Sequence, residues 1–341
     1  MDTITQIALG AAVAEATIGR KVGNRALLWG AICGTLPDLD VFIPLGDAVR
    51  DFTYHRSASH SLFVLALLTP LMVWLITKLH PATLAHRRRW YFAVYLVFAT
   101  HVLLDSFTAY GTQIFWPLFT TPMTWATVFI IDPLYTLPLL LGVIAALVVS
   151  RDSDRGHRFN QFGLILSSLY LLWTVFAKVY AENSIVDQLK AQNISDQRVF
   201  ITPAPFNTLL WRAVVMRDGG YYEAYYSLFD GDTTVRFTRY ASDQALLDGI
   251  KDYWPVRRLR WFSKGFYAVN RQGENIVISD LRMGVEPHYV FRFVVGRISN
   301  PHTVPLAPPQ RVSSTRDLTQ LRLIWRRIWN VEQIVNPALK D

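Results

Sequence analysis

The sequence predicts a polytopic all-α membrane bundle of about four to six hydrophobic helices, followed by a β-rich soluble domain. Three observations carry this expectation. Apolar residues make up 51% of the 341, charged residues only 18% against about 25% in an ordinary globular chain, and mean hydropathy is +0.21. The charges are unevenly spread: residues 1–180 hold 13 Lys/Arg and 10 Asp/Glu, whereas residues 181–341 hold 21 and 16. The patterning also changes near residue 180, from long apolar runs to short aromatic and β-branched ones. The expected domains are therefore 1–180, in the membrane, and 181–341, outside it.

The apolar runs at residues 61–79, 90–107, 133–150 and 159–180 each approach the roughly 20 residues that cross a bilayer core. Two earlier runs, 4–19 and 26–45, are shorter or carry acids, and suit short spans, re-entrant pieces or helices lying against the bundle. Residues 1–19 read as part of the mature fold rather than as a cleavable signal. Asp2 stands where a basic start is expected, and Glu15 interrupts the apolar stretch. The single cysteine, Cys33, excludes a disulfide framework, a CxxC redox site and a Cys-rich zinc module.

Positive charge sets the expected orientation. Arg20, Lys21 and Arg25 fill the first connection, residues 86–89 (HRRR) end another, and Arg151, Arg155 and Arg158 follow the third span. Residues 108–133 hold no Lys or Arg. Basic loops stay in the cytoplasm, so alternation places residues 46–60, 108–132 and the C-terminal half on the far side, the periplasm of a Gram-negative cell. The net charge of +8 is then partly a topology signal, and nucleic acid is not an expected partner.

Beyond residue 180, residues 221–229 (YYEAYYSLF), 275–281 (NIVISDL) and 289–295 (YVFRFVV) alternate with turns such as DGG at 218–220 and RQGE at 271–274, the pattern of strands and hairpins. Near the end, Leu318, Leu321, Trp325 and Ile328 recur at helical spacing, with Ser314 or Thr315 as N-cap. That amphipathic helix also carries Arg322, Arg326 and Arg327, and suits either packing on the sheet or lying on lipid.

Four polar clusters interrupt the membrane half, where an ionisable group costs roughly 2.5–3.5 kcal/mol on insertion scales. Asp38 and Asp40 follow Pro37 at the end of an apolar run: either a helix stop with solvated acids, or two carboxylates turned into one cavity. His55 and His60, with Arg56 between them, precede a span. They suit metal ligation or acid–base work with an arginine for an anion, or simple interfacial flanking. His101 and Asp105 lie one turn apart on one helix face, as a buried pair or as part of a site. Asp132 precedes Pro133 as an N-cap or as a further site residue. The orientation brings all of these to one face. Imidazoles with carboxylates and no thiolate suit Zn²⁺, Mn²⁺ or Fe²⁺ better than Ca²⁺.

In this order, the clusters resemble the YdjM-type family of inner-membrane-bound, predicted metal-dependent hydrolases, which has LexA-linked members. The resemblance spans roughly residues 1–180. It rests on residues 1–5 (MDTIT), 34–40 (GTLPDLD), His55-Arg56 with His60-Ser61, 101–105 (HVLLD), 109–116 (AYGTQIFW) and Ile131-Asp132-Pro133. It implies a hydrolase, and a faint likeness to zinc-dependent phospholipase C and P1-type nucleases points to phosphoester cleavage. Where the family shows Thr-His near its start, this chain has Thr5-Gln6, and Gln6 is a poorer ligand than histidine.

The resulting expectation is a multi-pass protein of the bacterial inner membrane with a periplasmic C-terminal domain. Its partners are the lipid bilayer and a phospholipid or other phosphoester substrate. Asp38, His60, His101 and Asp105 are the expected ligands of a divalent ion, zinc first, with manganese and iron as alternatives. Asp40, His55, Arg56 and Asp132 are the expected catalytic or supporting groups: Arg56 for the anionic group, Asp40 or Asp132 as base, and His55, Asp40 and Asp132 as groups that orient the imidazoles or as further ligands. The alternatives are an ion- or proton-coupled transporter and a scaffold with a structural metal.

Overall fold

The computed structural model describes residues 1–149, 154–194, 198–231, 233–299, 302–313, 319–333 and 335. Arg151 and the expected helix start at Ser314, Thr315 and Leu318 lie outside the described residues. The chain forms two units, Met1–Ile43 with His55–Thr174, and Pro44–Tyr54 with Val175–Asp341. The first is helical and the second is rich in β-sheet.

In the first unit Asp2 accepts from the Thr5 amide and starts helix α1, Thr3–Ala14, which continues into a π-helical turn at Glu15–Gly19. Helix α2, Arg25–Thr35, ends where Pro37 brings in the 3₁₀ segment Leu36–Phe42. α1 and α2 touch backbone to backbone because Gly10, Gly30 and Gly34 face each other: a Cβ built on Gly10 would stand 2.3 Å from the Gly30 carbonyl oxygen. Small residues allow this approach in apolar surroundings. Helix α3, Ala48–Tyr54, belongs to the second unit. After it, a 3₁₀ turn at Ala58–His60 leads to α4, Leu62–Leu79, whose first amides are capped by the Ser61 hydroxyl. Helix α5, Arg87–Ser106, and helix α6, Pro133–Val148, follow. Helix α7, Arg155–Ala191, contributes its part up to Thr174. Trp90, Phe98, Val73, Ile76 and Cys33 lie in the core of this unit.

Among the described residues two helices, Leu62–Leu79 and Arg155–Ala191, are long and apolar enough to cross a membrane; Pro133–Val148 is apolar but shorter. The α5 helix that covers the expected run at 90–107 opens on Arg87, Arg88 and Arg89. Large apolar side chains stay exposed along these helices, among them Leu67, Leu71 and Trp74 on α4 and Leu137, Leu141 and Ile144 on α6. An exterior of this kind suits lipid as solvent.

In the second unit, β1 (Val199–Pro203), β2 (Leu210–Arg217), β3 (Gly220–Ser227) and β4 (Thr238–Ala241) form an antiparallel meander. The β2–β3 register pairs Arg217 with Gly220, so Asp218-Gly219 is a two-residue loop, and Gly219 takes the positive φ of 72° that such loops need. A second sheet has the order β10-β9-β6-β5, with β5 Tyr267–Gln272, β6 Asn275–Asp280, β9 Arg292–Ser299 and β10 His302–Arg311; β7 (Gly284–Val285) and β8 (His288–Tyr289) form a small ribbon. Ala177, Ala181, Ile185 and Leu189 of α7 pack in one core with Trp211, Val215 and Tyr226. Phe52 of α3 stacks on Phe291 and also meets Phe262 and Phe293. Helix α8, Trp254–Phe262, supplies Phe262. Helix α9, Thr319–Trp329, packs Ile324 and Ile328 against Ala204 and Leu210.

Candidate metal centre

Four side chains from three separate stretches converge in the first unit. Asp38 comes from the 3₁₀ segment after α2 and His60 from the turn before α4, while His101 and Asp105 come from the last turns of α5. One ligand atom from each lies within 4.8 Å of all the others. His60, His101 and Asp105 are fully buried, and the Asp38 side chain is 20% exposed. These are the four residues expected as ligands from the sequence.

The hydrogen bonds around the two imidazoles fix their tautomers. His101 Nδ1 lies 2.7 Å from the carbonyl oxygen of Gly34, which can only accept, so Nδ1 carries the proton. Ser59 Oγ donates to Asp40 Oδ2 at 2.5 Å. A hydroxyl has one proton, so the 2.9 Å contact between Ser59 Oγ and His60 Nδ1 needs its proton from the ring. Both Nε2 atoms of the neutral rings are then bare acceptors, and they face each other at 3.2 Å. Carboxylate oxygens surround them. His60 Nε2 lies 3.3 Å from Asp38 and 3.1 Å from Asp105; His101 Nε2 lies 3.8 Å and 3.6 Å from the same two. Between the two ring nitrogens and these oxygens the lone pairs repel one another until a proton or a cation sits among them.

A divalent ion fits this set. Ligands at about 2.0–2.1 Å from a tetrahedral zinc stand roughly 3.3 Å apart, close to the 3.1–3.8 Å separations found here. Two nitrogens and two oxygens suit zinc, manganese or iron. The outward Nδ1 bonds of both rings are the supports that orient imidazole ligands. We expect Ser59→Ala, which unties His60 Nδ1, to weaken divalent-ion binding by roughly 10–100-fold. Competition against a chromophoric chelator measures this, and unchanged affinity would speak against the assigned tautomer.

Other groups at the centre balance charge. Asp105 Oδ1 binds the Met1 amine and accepts from Gln6 Nε2 at 3.0 Å; Asp105 Oδ2 lies 3.2 Å from Arg56 Nε. Arg56 is buried, takes the left-handed φ of 62°, donates through Nη1 to Thr108 Oγ1, and lies over the Tyr110 ring. Its guanidinium is thus turned to Asp105 rather than outward. Gln6 also reaches the His101 carbonyl at 3.3 Å, and its Oε1 is buried with no hydrogen-bond partner.

Asp40 and His55 form a more open pair beside the four-residue cluster. His55 Nδ1 meets Asp40 Oδ1 at 2.7 Å, with side chains 19% and 14% exposed. Burial alone would push the Asp40 carboxyl up, but the His55 bond and charge, with His60 and the Ser59 hydroxyl, together outweigh it and hold Asp40 below its ordinary value. The His55 ring lies edge-on to His60, with centroids 5.9 Å apart. Asp132 has a different task. Its Oδ1 accepts from the Leu134 and Tyr135 amides, and its Oδ2 accepts from the Tyr170 hydroxyl at 2.9 Å. The carboxylate caps α6, and it is not in the four-residue group. Sequence reasoning missed Ser59, whose only signal was a hydroxyl beside His60, and the Gly34 carbonyl, which carried none.

A family model described as YdjM inner membrane protein matches residues 1–181. The chain belongs to the YdjM family. The matched stretch holds all of the centre and Asp132, and the family description places these proteins in the inner membrane. Searches of curated proteins and of solved structures found no match.

Proposed function

We propose that this YdjM-family member is a metal-dependent hydrolase that cleaves a phosphoester, most directly a lipid headgroup, at the periplasmic face of the inner membrane. The observation that carries this reading is the facing pair of bare imidazole nitrogens at 3.2 Å, with two carboxylates beside them. Asp38, His60, His101 and Asp105 hold the ion. A bound divalent ion supplies Lewis-acid polarisation and makes water acidic enough to react near neutral pH.

The protein's own groups do the rest. Ser59 and Gly34 hold the two rings so that Nε2 points inward. Arg56 keeps Asp105 ionised inside an apolar bundle. His55, oriented by anionic Asp40 and open to the outside, exchanges protons with the reacting groups. Asp40 therefore acts through His55, and Asp132 through the placement of α6. The basic connections support a cytoplasmic placement for the opposite end of the helices, and hence a periplasmic C-terminal unit.

The test is hydrolysis of a phosphodiester panel, including short-chain phospholipids, by detergent-purified protein loaded with Zn²⁺ or Mn²⁺. Metal-dependent turnover that His101→Ala lowers by at least about 100-fold is expected. Equal rates in wild type and variant would exclude the hydrolase. Metal-loaded wild type without turnover, but with ion uptake lost in His101→Ala, would favour transport instead.

A further inference from the structure

Helix α9 has two faces, and the buried one fixes where the other points. Ile324 and Ile328 are inside the hydrophobic cluster under the sheet, and Arg327 between them is buried too. Arg327 binds Asp230 through both guanidinium nitrogens, at 2.8 and 2.6 Å, and donates to the Tyr225 carbonyl at 2.9 Å. Ser227 Oγ donates to the Ile328 carbonyl at 2.8 Å. A helix held by a two-pronged ion pair and an apolar ridge cannot roll to bury a different side.

The opposite face carries residues 322, 325, 326 and 329, one stripe at three- and four-residue spacing. Arg322 and Arg326 are exposed. Trp325 is 45% exposed and Trp329 69% exposed. Phe229, from the loop after β3 and 58% exposed, stacks on Trp329 with ring centroids 4.9 Å apart. Val331 extends the patch; among the described residues Glu332 adjoins it, as does Asp230, whose carboxylate is taken up by Arg327. Large aromatic rings left in solvent cost free energy, and arginines flanking them set the sign of what covers them. Tryptophan with arginine on one helix face is the composition that settles at the level of lipid headgroups.

The geometry points to a lipid-surface site: the outward face of α9, together with Phe229, docks on an anionic bilayer. Trp325, Trp329 and Phe229 enter the headgroup region, and Arg322 and Arg326 pair with lipid phosphates. The same helix therefore packs on the sheet with one side and on lipid with the other. Each arginine near an anionic surface favours the docked state by about fivefold.

The full-length protein offers a direct test, because its one native cysteine, Cys33, is fully buried. Asn330→Cys, labelled with an environment-sensitive fluorophore, is reconstituted into vesicles of phosphatidylcholine alone or mixed with phosphatidylglycerol. The expected result is a blue-shifted emission in the anionic vesicles, quenched by spin-labelled lipid. The combined change Arg322→Gln and Arg326→Gln should lower the docked-to-free ratio by more than tenfold, at about fivefold for each charge. Trp325→Ser with Trp329→Ser should abolish the shift. These residues point away from the core, so the fold is retained, and an unchanged melting temperature checks this. Emission identical in anionic vesicles, neutral vesicles and detergent would overturn the proposal. So would a shift that depends on protein concentration in detergent, the mark of a second copy, or one that survives removal of both tryptophans.

Discussion

Gly30→Val is expected to stop the protein from accumulating in folded form. A Cβ on Gly30 would stand 2.3 Å from the Gly10 carbonyl oxygen and 2.6 Å from the Ala14 Cβ. Neither neighbour is the free end of a flexible side chain, so α1 and α2 must separate as whole helices. Inserting even one methylene into a tight core costs about 1–3 kcal/mol, and valine adds three carbons at a backbone crossing. The effect reaches the centre, because α1 carries Gln6 and the end of α2 carries the Gly34 carbonyl that orients His101. Gly142→Ala is the control. Its Cβ would meet the backbone of Asn160 and Phe159 at 3.0–3.4 Å, a milder overlap that the gain of about 1 kcal/mol in helix propensity partly offsets, so a smaller loss than that of Gly30→Val is expected. Fluorescence-detected gel filtration after heating in detergent separates the two. Similar melting temperatures for Gly30→Val and wild type would show that the helices do not cross as described.

Asp105→Asn should be the most damaging substitution of nearly constant size. The carboxylate faces the Met1 amine, Arg56 and both imidazoles at once. Arg56 is 3% exposed, so the loss of its counter-ion leaves a buried charge in an apolar bundle. Removing one partner of such a pair costs about 3–5 kcal/mol. Asp38, near His60, and Asp40, bonded to His55 and Ser59, are the other acids of the centre, and each is already engaged by those groups. Denaturant or thermal unfolding in detergent should show this loss even without metal, and metal binding should fail as well. An Asp105→Asn protein as stable as wild type would mean that Arg56 has another anion, which would remove the charge-balance role given to it.

The four residues of the candidate centre were legible in the sequence for an energetic reason. Charged and imidazole side chains inside or beside apolar runs are costly, so Asp38, His60, His101 and Asp105 stood out, and the His101–Asp105 spacing put both on one face. What fixes their protonation was not legible. The Gly34 carbonyl, the Ser59 hydroxyl and the Met1 amine act through chain crossings that leave no pattern in the order of residues. Asp132 could be read as a cap or as a site residue, and only the Leu134 and Tyr135 amides pointing at it decide for the cap. The place of residues 44–54 was also hidden. They lie between Asp40 and His55, which meet at the centre, yet Phe52 packs among aromatic rings of the β-rich unit. Periodicity did locate β3, β6 and the last helix, because alternating and three-to-four spacing are local properties of the chain, whereas the run 289–295 divides between β8 and β9.

The most direct test of the metal centre is elemental analysis of detergent-purified wild type beside His60→Ala. Bare nitrogens facing each other at 3.2 Å predict a divalent transition ion present in fixed proportion to the wild-type chain and absent from the variant. Wild type free of metal after purification with added Zn²⁺, Mn²⁺ or Fe²⁺, or a variant that retains as much as wild type, would contradict it.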